Sequence, residues 1–122
     1  MTSINTRSLK KALIEAYRET WRCPLVETTY IVYDKENNKF SEEWSCGYAK
    51  KKDDFIVAII GRPRLDEGEY FSGESLKELV QYFQEEYLDT LVEEVKATVE
   101  NINNNKNQYE IALFRGESDL YD

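Results

Sequence analysis

Phe55-Ile56-Val57-Ala58-Ile59-Ile60 is the longest apolar run in the chain, and four of its six residues are β-branched. Six residues fit a strand better than a helix, and the β-branched side chains favour a pleated surface. The polar stretch Lys50 to Asp54 precedes the run and Gly61 closes it, so both ends carry turn chemistry. With no polar residue on either side of the pleat, the run reads as a central strand covered on both faces.

The segments upstream supply partners for it. Thr28 to Asp34 is rich in β-branched and aromatic residues, and Asn37-Asn38 offers a turn pair that tolerates positive φ. The next strand alternates, with Phe40, Trp44, Cys46 and Tyr48 on a buried face and Ser41, Glu43 and Ser45 on a wet one. Glu42 breaks the pattern by falling on the apolar side. The three segments together predict a three-stranded antiparallel meander. Before them, Leu9, Ala12, Leu13, Ala16, Tyr17 and Trp21 recur at helical steps between Ser8 and Arg22, and Pro24 stops the helix they define.

Downstream, residues 61 to 73 contain Pro63, Gly68 and the acidic residues Asp66, Glu67 and Glu69, an exposed connection by composition. Ser75 and Glu78 have capping-box spacing, after which Leu76, Leu79, Val80, Phe83, Tyr87, Leu88, Leu91, Val95, Val99 and Ile102 keep helical periodicity. At 1.5 Å per residue, Glu74 to Glu100 would form a helix about 40 Å long. Thr90 and Glu93 repeat the capping-box spacing, so the stretch is either continuous or broken near Asp89. The Asn-rich residues 101 to 107 end it, and Tyr109 to Phe114 predicts a final strand that joins the sheet. The fold class expected is therefore α+β: helix, antiparallel meander, long acidic helix, final strand. The 122 residues suit a single domain, with a short acidic tail over 116–122.

Composition removes most enzyme chemistries. The chain has no histidine, which excludes Ser-His-Asp triads, Cys-His dyads and histidine zinc sites. Cys23 and Cys46 are too few for a disulfide framework or a four-cysteine zinc site, and they read as buried structural thiols in a cytoplasmic protein. The five glycines form neither a dinucleotide fingerprint nor a phosphate loop. No segment approaches the roughly 20 apolar residues of a membrane span, and the N-terminus lacks signal-peptide features. No catalytic residue, metal ligand or cofactor is predicted. Asp53-Asp54 and Asp66-Glu67 lack calcium-loop spacing and read as solvated turn residues. Arg62 and Arg64, just after the apolar strand, either bind an anion or pair with the acidic residues that follow them.

Charge is the strongest positive signal. Residues 1–61 hold ten Lys/Arg against nine Asp/Glu, whereas residues 62–122 hold six against fifteen, which together give the formal net charge of −8. Between Glu74 and Glu100 there are eight acidic residues and two lysines, Lys77 and Lys96. Glu85, Asp89 and Glu93 follow one another at four-residue steps with Glu86 and Glu94 beside them, a spacing that costs an isolated helix a few tenths of a kcal/mol per like-charged pair. These five residues read either as a solvated helix face or as a docking surface for a basic protein, steered by long-range attraction.

The order helix, three strands, helix is similar to that of double-stranded-RNA-binding domains. Those domains need a basic second helix, and this one is acidic, so direct nucleic-acid binding is not expected. The function expected is a non-catalytic acidic protein-binding module. It would act as an inhibitor of a basic nucleic-acid-handling protein, of the immunity, antitoxin or phage anti-defence type. Two alternatives stay open. One is a dimeric secretion-type or assembly chaperone, since type III secretion chaperones are similar in element order and acidity. The other is a small-ligand or metal-dependent enzyme using Arg62, Arg64 and nearby carboxylates. No membrane partner is expected, and a homodimer is compatible with the composition.

Overall fold

A computed structural model describes residues 4–23, 26, 28–44, 54–61, 73–105 and 107–116. The elements in chain order are α1 (Thr6–Arg22), β1 (Thr28–Asp34), β2 (Lys39–Glu43), β3 (Asp54–Gly61), α2 (Gly73–Glu86), α3 (Leu88–Asn103) and β4 (Ala112–Phe114). The class is α+β, as the sequence predicts. Among the described residues, no helix is long and apolar enough to cross a membrane.

The sheet order is β2-β1-β3-β4, with β1 antiparallel to both neighbours and β4 parallel to β3. In a sequential meander β2 would sit in the middle. Here β1 takes that place, and the chain passes from β2 at one edge to β3 on the far side of β1. The side chains account for the exchange: β2 carries the exposed Lys39, Ser41 and Glu42, which suit an edge, whereas the apolar β3 needs strands on both sides.

The apolar run of β3 packs differently from its reading as a strand covered on both faces. The register with β1 pairs Ile31 with Ala58 and Val32 with Ile56, which leaves Val57 as a β-bulge. A bulge turns consecutive side chains toward one side, and both Val57 and Ala58 are fully buried. Six apolar residues in a row thus serve mainly one face, where Ile31, Tyr33, Phe40, Ile60, Ala112 and Phe114 join the buried residues of all three helices in one core. Ile56 and Ile59 are only half-buried.

The buried side of α1 consists of the six residues expected from the sequence together with Thr20, whose hydroxyl bonds back to the Ala16 carbonyl at 2.5 Å. Asn5 caps the helix by accepting from the Ser8 amide at 3.0 Å. The Ser8 hydroxyl in turn accepts from the Phe40 amide at 3.1 Å and lies 3.3 Å from the Phe40 carbonyl, so α1 satisfies the outward-facing backbone of edge strand β2. The hairpin between β1 and β2 turns on Asn38, at φ 52, with Asn37 held by the Asp34 carboxylate. Trp44, expected on the buried face, is 68% exposed because β2 ends at Glu43; Cys46 and Tyr48 lie outside the described residues. Cys23, just beyond α1, is half-buried and free of any disulfide.

The long acidic stretch is two helices. The break falls at Tyr87 (φ −125, ψ −25), two residues before the position expected, and the bonds Tyr87 N to Phe83 O and Leu91 N to Tyr87 O lead into and out of it. Packing explains the place. Leu76, Val80 and Phe83 are buried on α2, and the same phase would next bury residues 87 and 90 or 91. The break adds Leu88 to the core, followed by Leu91, Val92, Val95, Val99 and Ile102, with Tyr87 half-buried against it, while Thr90 stays exposed. Ser75 is not the cap expected, because α2 already starts at Gly73, whose φ of +61 a side chain would oppose. Asn105, at φ 57, closes α3 by donating its amide to the Ile102 carbonyl at 3.1 Å. The last strand is shorter than predicted and starts at Ala112. Before it, Thr98 of α3 fixes the chain through a hydroxyl 2.6 Å from the Glu110 carbonyl, and Tyr109 sets its ring 6.4 Å from Phe55.

An aromatic cluster joins the layers. The Phe83 ring stacks on Tyr17 at 4.2 Å and meets Phe114 at 5.3 Å, while Tyr87 lies 4.9 Å from Phe114. Thr29, on central strand β1, is fully buried with no hydrogen-bond partner for its hydroxyl among the described residues. Thr29→Val keeps the β-branched shape and removes the unsatisfied group, so it is expected to raise stability by about 1 kcal/mol in urea unfolding, with no change of fold.

Candidate functional site

The face built from α2 and α3 carries the acidic residues. Leu76, Val80, Phe83, Leu91, Val95 and Val99 turn inward at helical spacing, which leaves the intervening carboxylates pointing outward. All eight acidic residues from Glu74 to Glu100 are exposed. Glu85 and Glu86 close α2, where the partial negative charge of the helix end is unfavourable to them and the last turn has no basic residue. Asp89 lies in the first turn of α3, the favourable end.

The break at Tyr87 interrupts the single stripe that the four-residue steps predict. Asp89 lies toward α1, with its carboxylate 3.7 Å from the Lys10 ammonium. Glu93 lies 3.5 Å from Lys96, and Glu85 accepts from the Gln81 amide at 3.1 Å. Glu94 lies on another side of α3, on the rim of a groove shared with β4. Glu86 and Glu94 have no cationic partner among the described residues. Ion pairs as exposed as Asp89–Lys10 contribute at most about 1 kcal/mol, so both carboxylates remain exchangeable with a partner's cations. Arg62 and Arg64, the predicted anion-binding pair, lie outside the described residues. Among the described residues, no group of three or more His, Cys, Asp or Glu is placed to hold a metal ion.

Among the open depressions of the described residues, two carry carboxylate side chains. The larger, about 990 Å³, runs between α3 and residues 107–113 and is lined by Glu94, Ala97, Asn101, Glu110 and Leu113 among others. The second, about 490 Å³, separates α1 from β2 and mixes Arg7 and Lys11 with Glu15 and Glu42. Sequence reasoning did not select Glu110 or Leu113. Their signal was available, because a carboxylate and an outward apolar residue flank Ala112 in the last strand, but its position at a sheet edge was not.

Glu42 has an unusual setting. Partial burial against α1 raises its pKa, and the neighbouring negative charges of Glu15, Glu19 and Glu43 add to the rise, opposed by a backbone hydrogen bond. Glu15 and Glu19 are themselves paired with Arg18 and Arg22. A carboxyl whose folded pKa is raised stabilises the fold when protonated and loses that contribution as pH rises through the raised value. Glu42→Gln is therefore expected to raise the unfolding free energy at pH 7, by a few tenths of a kcal/mol once solvent screening is counted. The gain should vanish below about pH 4, where the unfolded carboxyl is protonated too.

No family model, curated relative or solved structure matches the chain.

Proposed function

We propose that the protein is a non-catalytic binding module that docks a basic protein through the acidic surface of α2 and α3, inhibiting a nucleic-acid-handling partner in the manner of an immunity protein, antitoxin or phage anti-defence protein. The observation that carries this reading is the exposure of all eight carboxylates between Glu74 and Glu100 against two lysines. Carboxylates concentrated in this way mimic the charge of a phosphate backbone and raise the encounter rate with a positively charged channel. The absence of histidine and the two dispersed cysteines suit binding in a reducing cytoplasm better than catalysis.

The test is recovery of partners from lysate on immobilised protein, washed at low and at high salt, alongside a variant with glutamine at Glu85, Glu86, Asp89, Glu93 and Glu94. A partner retained by the wild type at low salt, released at high salt and lost with the variant supports the reading. A partner held equally by both proteins at both salt concentrations refutes it and favours an assembly chaperone that binds through apolar surface.

A further inference from the structure

We infer that the groove between α3 and β4 receives an extended basic segment of the partner, which adds to the sheet as a strand along the outer edge of β4. This rests on the acidic-docking reading and specifies where and how the partner's chain is held. Three independent features converge on the groove. First, β4 is the last strand of the sheet, with β3 on one side and no described strand on the other, so no strand among the described residues takes up its outer backbone groups, and residues 111–113 line the groove. An edge of this kind is the template for strand addition.

Second, the apolar side chains there are exposed. Leu113 is 51% exposed and Ile111 37%, and both line the groove, with Ala97 on the opposite wall. Strand addition needs such footholds, because alternate side chains of the incoming segment land beside those of the edge strand. Third, the charge among the described lining residues has one sign. Glu94 and Glu110 are the charged residues among them, and α3 ends toward the same region with no basic residue in its last turn, which adds the negative end of the helix dipole. A second copy of this chain would bring those carboxylates against their own images. A lysine- or arginine-bearing strand meets opposite charge on both walls.

The probe is a fluorescent heptapeptide of alternating lysine and valine, with an alternating glutamate and valine peptide and a backbone N-methylated lysine-valine peptide as controls. Fluorescence anisotropy measures affinity and backbone amide shifts locate the site. The lysine-valine peptide should bind and shift the amides of residues 108–114. N-methylation, which removes the donors a strand needs, should weaken it about tenfold or more, as should Glu94→Lys combined with Glu110→Lys; tenfold corresponds to about 1.4 kcal/mol. Both altered positions are exposed, and circular dichroism verifies that the variant is folded.

Equal binding of the N-methylated peptide overturns strand addition. Shifts confined to residues 85–93, with sensitivity to Glu85 and Glu86 rather than to Glu94 and Glu110, overturn the groove while leaving acidic docking intact. Failure of the lysine-valine peptide to bind anywhere overturns both. Concentration-dependent dimerisation abolished by Leu113→Lys would assign the edge to a second copy and overturn the inference.

Discussion

Phe83→Ala is expected to lower the unfolding free energy by about 3–5 kcal/mol, the range for truncating a buried phenylalanine. Phe83 is fully buried, and its ring lies nearly parallel to Tyr17, at 4.2 Å and 8°, while meeting Phe114 at 5.3 Å. It therefore joins α2 to α1 and to β4 at one point. Truncation removes both ring contacts and leaves a cavity that three separate elements would have to close together. A domain of ordinary stability holds about 5–15 kcal/mol, so this one change consumes a large share. Phe83→Leu refills most of the volume and should cost clearly less. Urea unfolding followed by circular dichroism measures both; a loss below about 1 kcal/mol for alanine would show that the cluster does not hold the layers together.

The second large effect concerns binding rather than stability. Changing Glu85, Glu86, Asp89, Glu93 and Glu94 all to lysine moves the formal net charge from −8 to +2, each of the five side chains shifting it by two. Association with a basic partner should slow by about 10- to 1,000-fold, the range over which electrostatic steering acts. Folding should survive. The exposed Lys10–Asp89 and Lys96–Glu93 pairs are lost, but lysine at the end of α2 suits the helix dipole better than Glu85 and Glu86 do. The signature is therefore a collapse of the association rate with an unfolding midpoint close to that of the wild type, read by stopped-flow kinetics and thermal melting of the same samples.

Local pattern made much of this fold legible. The inward face of α1 follows directly from the spacing of Leu9, Ala12, Leu13, Ala16, Tyr17 and Trp21, and β1 spans the same residues that its composition marks out. What the sequence concealed is non-local. The choice of β1 rather than β2 as a central strand depends on pairing between segments far apart in the chain. The bulge at Val57, which turns a run apolar on both sides toward a single helical layer, has no signature in a row of similar residues. The break at Tyr87 answers to the burial of Leu88, which only the assembled core decides.

The candidate site was legible in the same uneven way. The exposed carboxylates were named from spacing and composition, and all five are on the surface. Their division was not visible, because it follows from the helix break: Asp89 lies against Lys10 of α1, and Glu94 lies on the groove beside β4. Glu110 and Leu113 gain their interest from the strand order, which places β4 at an edge.

The claim that an acidic surface captures a basic protein is tested most directly by the salt dependence of the association rate, measured against the recovered partner across about 0.05 to 0.5 M sodium chloride. Screening shortens over that range from beyond about 10 Å to well below it. A rate that falls at least about tenfold, with a dissociation rate that changes little, is the result predicted. An association rate indifferent to salt would contradict the account.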